Sequence, residues 1–499
     1  MGDDRGPVGG TEWQQAYMQT IAVCFVFTSI ALLVFGFGLS STTLNGGIAL
    51  SFTIALMITS LRLLTARGSL AALPYFLIGC AVFYGLGTFV ATIVPESMYQ
   101  ISFTSDVQRK VLAQVNATNF VAITVVVLAA APLCMFPAGS RTASSADGGL
   151  QSVMLRLEQY MPALLIASVP IVAIMWATFP RPTNFLLASL LTPLSGVPLF
   201  TVLLAGAIWT RLDGGRKALI VLLILALVLH GMLGMRKMFT ILPIMSLVMG
   251  MMIFPRTRVL AGVIVVCVIV IYGAGMADTL NYGRLHVGFD PLLNGPLDRL
   301  RILWDTVGSL REVSALQQEE GSLLQRFTIA PFEAHFIGLY DSGAPGDSLR
   351  NFFNVLVPRA IWPDKPIISP GAEFDGIFRG YFVQSSLAIG FIAEAYWNLG
   401  WLGVILISAM IGLQMGWFTR RWHLFCQHGF IYSGIFLMSP LIIKQSLWVE
   451  TNIVGGYVGG VVKLMIYVTL IDMLIRVYVA RTQRAERLMP ANTLTRQYG

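Results

Sequence analysis

Charge is scarce in this chain: of its 499 residues only 12% are Asp, Glu, Lys or Arg, against about 25% in an ordinary soluble domain. That shortage excludes a solvated globular protein of this length. Cysteine is scarce too, and the five present, Cys24, Cys80, Cys134, Cys267 and Cys426, stand singly in or beside apolar segments. No CxxC and no metal-ligand spacing occurs among them, so they read as core filler rather than as a redox or zinc site. Walker A, HExxH and GxSxG motifs are missing, as is any GxGxxG beside a strand, which removes the common nucleotide, zinc-protease and hydrolase readings. No internal repeat or low-complexity block stands out, although the inverted repeats of transporters can be very weak. The opening residues, MGDDRGPVGGTEWQQAYMQT, have no small-residue cleavage site before the first apolar run and no Ser or Thr at position six. They predict an uncleaved anchor without N-myristoylation.

What the chain has in excess is hydrocarbon. Hydrophobic residues make up 56% and the mean hydropathy is +0.73. Apolar runs recur at about 17–39, 44–61, 70–94, 118–137, 160–178, 185–208, 218–234, 238–254 and 259–278, and again at 400–419, 430–447 and 454–475. Each is long enough to be read as a helix crossing a hydrocarbon core about 30 Å thick, and repeated helical spans exclude a barrel. The net charge of +8 follows location rather than a nucleic-acid partner. Basic residues gather on alternate loops, RLLTARGS, RLDGGRK, PRTR and RRWHLF, and on the tail at Arg476, Arg481, Arg484 and Arg487. No basic stripe is interleaved with aromatics, and the positive-inside bias then sets both termini inside.

The expected fold is therefore an all-α polytopic membrane protein of about 12 transmembrane helices with one large outer helical loop. Residues 1–278 carry spans one to nine and 279–385 form the loop. Residues 386–475 supply a re-entrant lead-in helix and the last three spans, and 476–499 an inner tail. The loop mixes 9 Lys or Arg with 12 Asp or Glu and holds no cysteine, so it is neither a charge run nor a disordered tail. LDRLRILWDTVGSLREVSAL, from 297, has the spacing of a surface helix, and LLQRFTIAPFEAHFIGLY predicts another, broken near Pro331.

Late in that loop lies GDSLRNFFNVLVPRAIWPDKP, followed by an acidic residue in AEAYWNLG just before a span. On these residues, roughly 345–415, with a weaker echo at LGMRKMF from 233, the chain resembles the Wzy-type oligosaccharide repeat-unit polymerases. The resemblance implies a cofactor-free, metal-independent glycosyltransferase of the bacterial inner membrane. It would transfer a growing chain from undecaprenyl diphosphate onto the next lipid-linked repeat unit to build O-antigen or exopolysaccharide. It also implies a bilayer-embedded site, a flippase and a chain-length regulator as partners in the pathway, and no nucleic acid. The related O-antigen ligases share this logic. The chain departs from their pattern by lacking a clear His-containing motif in the second part of the loop, apart from His335. A secondary transporter, or exporter of lipid-linked sugars, is the reading from another class, since about twelve spans is a common transporter size. Its polar residues belong near the membrane midplane, whereas here they gather in one loop and at outer helix ends.

Elementary chemistry points to the same residue types. A departing lipid diphosphate needs fixed cations where negative charge develops. Arg359 and Lys365 are candidates on a backbone stiffened by prolines, with Trp362 as an interfacial anchor or a sugar-stacking ring; the same stretch also reads as a rigid interfacial elbow. Arg236 and Lys237 fall at a helix start against the inside bias, as a diphosphate cradle or as side chains snorkelling to lipid phosphates. His230 reads as a packed polar residue. The acceptor hydroxyl needs a base. Glu394, in an otherwise apolar lead-in, is the first candidate, with an ion pair to Arg359 as the structural alternative. Glu373 and Asp375 follow, equally readable as solvated loop residues. Tyr396 and Asn398 of the same motif, with Arg284, Arg326 and Arg379 of the loop, complete the expected substrate-binding set, each arginine alone also reading as a surface residue. Lys463 is an intramembrane cation suited to function or to a helix contact. The NAT triplet at Asn116 is a glycosylation signal by spelling only.

Overall fold

The computed structural model describes residues 9–66, 69–93, 106–135, 158–179, 194–271, 295–308, 328–357, 370–379 and 389–488, with isolated positions at 276, 279–280, 283 and 362. Among these residues every element is helical and none is a strand. The helices are α1 (Gly9–Gly36), α2 (Thr42–Thr65), α3 (Ala72–Ile93), α4 (Asp106–Cys134), α5 (Met161–Ala177), α6 (Gly196–Ala207), α7 (Gly214–Leu233) and α8 (Lys237–Ile253). They continue with α9 (Arg258–Ile271), α10 (Pro296–Gly308), α11 (Ala330–Asp341), α12 (Pro370–Arg379), α13 (Phe391–His428), α14 (Ser433–Leu447) and α15 (Ile453–Arg481).

Seven of them, α1, α2, α3, α4, α7, α13 and α15, are long and apolar enough to cross a membrane. Twelve spans were expected. Four more helices, α5, α6, α8 and α9, are apolar but short. At 1.5 Å per residue the 17 residues of α8 rise about 26 Å, less than a hydrocarbon core of about 30 Å. The expected span at 430–447 is the 15-residue α14, and of the one at 185–208 only the part from 194 is described. The chain is a helical, multi-pass membrane protein. Its outward faces are greasy, as at Leu222 (61% exposed), Val259 (80%) and Leu474 (65%), which suits lipid and not water as solvent.

The long seam of the molecule joins α4 to α13. Gly412 and Gly416 of α13, four residues apart, lie against Val126 and Ala130 of α4 so closely that a methyl group at either would meet backbone atoms. Where both sides are apolar, close backbone approach at small residues is what holds helices together. Phe52 and Phe120, with ring centroids 4.1 Å apart, fill the adjoining space between α2 and α4. The core then continues through Phe76, Phe391 and Tyr457. Among the described residues α3 and α15 contain π segments, Ala81–Leu86 and Ile453–Val461, a widened winding that is often met at functional sites.

The helix expected from 297 is α10. It turns Arg299 and Leu303 inward and leaves Leu297 and Trp304 exposed. Of the helix expected to break near Pro331 the part from 328 is described: α11 starts at Ala330 with proline in its first turn, where the missing N–H is no loss.

Candidate functional site

The two halves of the motif, GDSLRN and AEAYWNLG, are clasped together. Glu394 is wholly buried in the first turn of α13. One carboxylate oxygen accepts from Ser348 Oγ at 2.8 Å and the other from the backbone N–H of Ile453 at 2.6 Å. Asn398, one turn on, donates to Ser348 Oγ at 2.9 Å and accepts from Leu349 N at 3.3 Å. The Gly346 N–H meets the Trp397 carbonyl at 2.9 Å, and Trp397 Nε1 donates to the Ala344 carbonyl at 3.2 Å. Glu394 is thus the knot of a three-way join between the 344–351 segment, α13 and the π start of α15. A carboxylate with no solvent face and both oxygens engaged does not reach an incoming hydroxyl in this arrangement; here it fixes the scaffold.

A second carboxylate faces solvent. Asp341, the last residue of α11, is exposed. Tyr396 Oη donates to its Oδ1 at 3.0 Å and Gln114 Nε2 to its Oδ2 at 2.9 Å. Gln114 Nε2 also lies 2.8 Å from Tyr396 Oη, so three groups from α11, α13 and α4 form a closed ring. Gly400 lets Tyr396 stand there. It interrupts α13 at φ 59°, a left-handed conformation that glycine takes without steric penalty, and the Tyr340 ring occupies the place of its missing side chain, 2.8 Å away. The lead-in helix expected before the span is this short arm ahead of Gly400.

Glu333, also on α11, is the third carboxylate. It is 1% exposed and accepts from Asn119 Nδ2 at 3.0 Å; among the described residues its other oxygen has no hydrogen-bond partner, and neither has Asn119 Oδ1. Burial pushes the acid up to about 8, against the opposing bond from Asn119. At neutral pH it is therefore mainly uncharged. Burial likewise holds His335 below the ordinary histidine value.

The cationic end lies at the turn from α7 to α8. The N–H groups of Met235 and Arg236 close onto the carbonyls of Met232 and Gly231 at 2.8 and 3.0 Å, the pattern of a Schellman stop. Met235, rather than the neighbouring glycine, takes the left-handed position at φ 51°. Its side chain is buried with Leu233, Leu280 and Leu303, and that packing offsets a backbone penalty of about 1–2 kcal/mol. Arg299 of α10 donates to the Leu233 carbonyl at 3.2 Å, satisfying the end of α7 with a cation as its dipole favours. Arg236, half-buried, follows as the cap of α8, and Lys237 is its first residue. Two cations approach the Phe239 ring, Arg236 at 5.6 Å and Lys444 of α14 at 4.5 Å. Lys444 also lines a cleft between α8 and α14 whose other walls are apolar, among them Met238, Ile241, Met245 and Ile443.

Other expected residues fall elsewhere. Arg284, Arg326, Arg359 and Lys365 lie outside the described residues. Asp375 and Arg379 are placed on α12 by backbone alone, while Glu373 is partly buried there and Trp362 is 37% exposed. Tyr396 and Asn398 are brought together with Asp341 and Ser348, as above. His230 packs between Trp176 and Phe179 with Nε2 3.2 Å from the Met175 carbonyl. Lys463 is on the exposed surface of α15. Asn116 is buried and donates to the Asn45 carbonyl at 3.0 Å, a helix contact rather than a glycosylation site. Sequence reasoning passed over Asp341, Gln114, Ser348, Glu333 and Lys444. For Lys444 a signal existed, a cation near one end of an apolar run; Gln114 and Asp341 carry none, because their pairing crosses most of the chain. No family model, curated protein or solved structure matches this chain.

Proposed function

We propose that this protein is a membrane glycosyltransferase of the repeat-unit polymerase type. It joins lipid-diphosphate-linked oligosaccharides into polysaccharide, through about twelve spans with the 279–385 interval on the outer face of a bacterial inner membrane. The observation that carries the reading is the pairing of cations with apolar side chains between α8 and α14: Lys444 sits among Met238, Ile241, Met245 and Ile443, and Arg236 and Lys444 both approach the Phe239 ring. Cations set beside apolar side chains suit a ligand that carries an anionic head on a hydrocarbon tail. Fixed cations there stabilise the diphosphate as it departs. The clasped GDSLRN and AEAYWNLG segments give the same reading a rigid floor for sugars.

The test uses the purified chain in lipid nanodiscs and, as sole sugar source, the lipid-linked repeat units extracted from cells lacking this gene. A ladder of longer glycans is expected without any nucleotide sugar. Arg236→Gln should weaken donor binding and slow elongation by about 10-fold to 150-fold, the worth of one charge-assisted bond at about 1.5–3 kcal/mol. A requirement for a nucleotide sugar, or movement of the lipid across the membrane without new glycosidic bonds, would sink the proposal.

A further inference from the structure

We infer that Asp341 is the general base of this reaction and that the turn after it, with Asn351, Asn354 and Phe353, receives the acceptor sugar. The inference rests on the polymerase reading and adds to it the atom that takes the proton.

Three observations point to Asp341. Of the three carboxylates on α11 and the start of α13, it alone is exposed; Glu333 and Glu394 are buried. Its side chain is oriented by two donors from two other helices, Tyr396 Oη at 3.0 Å and Gln114 Nε2 at 2.9 Å. A carboxylate offers about four lone-pair directions, so two remain for a ligand. Its position also runs against local preference. An acidic residue at a helix C-terminus meets the negative end of the dipole, and a residue held against its local preference by tertiary contacts marks a place where something other than stability is served.

The surroundings suit a saccharide. From Asp341 the chain turns through Gly343 and is tied at Gly346 and Leu349 to Trp397 and Asn398 of the same helical turn that carries Tyr396. It then presents the exposed Asp347–Arg350 pair, with N···O at 2.6 Å, and Asn354 donating to Asn351 Oδ1 at 3.1 Å. Phe353 is 77% exposed beside them. Fixed amides and carboxylates match sugar hydroxyls, and an exposed ring offers a face for the apolar side of a pyranose.

The step balances as follows. The acceptor hydroxyl oxygen forms a bond to the anomeric carbon of the donor while the bond from that carbon to the lipid diphosphate breaks. The electron pair leaves with the diphosphate oxygen, and the hydroxyl proton passes to an oxygen of Asp341.

The experiment uses the full chain in nanodiscs with the same extracted lipid-linked repeat units. Asp341→Asn should cut elongation by about 100-fold or more, with binding of the lipid-linked donor retained, and Asp341→Glu should recover part of the rate. Tyr396→Phe and Gln114→Leu each remove a donor that orients the carboxylate, so kcat should fall by about 10-fold with binding of the lipid-linked donor unchanged, a split that a merely structural contact would not give. Thermal unfolding in detergent checks that each variant is folded. If Asp341→Asn is misfolded, the kcat values of the other two variants decide, and unchanged values overturn the inference. An Asp341→Asn protein that elongates within about 3-fold of wild type overturns it while leaving the polymerase reading intact. A wild-type chain that builds no ladder overturns both.

Discussion

Glu333 and Asp341 share the short helix α11, yet one is sealed from water and the other faces it. The difference lies in their neighbours. Glu333 points at Asn119 in the bundle and at the Tyr84 side of α3, whose own hydroxyl donates to the Val449 carbonyl. Its proton is therefore retained on folding. A carboxyl whose value is raised to about 8, from about 4.3 in the unfolded chain, binds more protons when folded between those limits. Stability is full below the lower limit and falls as pH rises toward 8. Melting temperatures in detergent should accordingly drop by a few degrees between pH 5 and 8. Glu333→Gln keeps the donor from Asn119 and cannot ionise, so it should flatten that slope and raise stability at pH 8. A slope unchanged in Glu333→Gln would place the titrating group elsewhere.

At the scale of elements, α13 works because it is interrupted. The arm before Gly400 carries Glu394, Tyr396 and Asn398, and the continuous helix after it carries the glycines packed on α4. Gly400→Ala places a methyl group in a left-handed residue, at about 1–2 kcal/mol, and drives it into the Tyr340 ring. It should lower the melting temperature by several degrees and, on the proposed polymerase reading, weaken elongation. Gly36→Ala, with nothing near its added carbon, is the control; equal effects of the two would remove the kink's special role. The join at Glu394 admits a sharper comparison. Glu394→Ala leaves the buried Ile453 N–H without its acceptor and should cost about 2–4 kcal/mol. Glu394→Gln, with its carbonyl toward Ile453 and its amide donating to Ser348 Oγ, should lose much less. If the Gln variant is as unstable as the Ala variant, the join is not what Glu394 provides.

At the scale of the whole molecule, the arrangement of charge sets the direction of insertion. The alternation of Arg-rich and Arg-poor loops predicts that residues 279–385 lie outside and the tail inside. In a cysteine-free background, Ala344→Cys should react with a membrane-impermeant reagent in intact spheroplasts and Arg481→Cys only after permeabilisation. The reverse pattern would overturn the placement of the site and with it the proposed use of lipid-linked sugars.

The sequence by itself determined the solvent and the element type. With 12% charge and recurrent apolar runs, backbone polar groups must be satisfied within each segment, so helices follow from composition. The existence of α1 to α4, α7, α13 and α15 was legible for that reason, as were the polar interval and the acidic residue ahead of the span at 400. What composition does not fix is which polar residues meet. Ser348 finds Glu394 and Asp341 finds Gln114 only after α4, α11 and α13 have packed. In the sequence Glu394 stands out in an apolar lead-in and Asp341 does not stand out at all. Tertiary packing separated them: it closed water off from Glu394 by supplying two donors to it, and it left Asp341 at the surface, held by a tyrosine and a glutamine from helices that the chain reaches only by folding back.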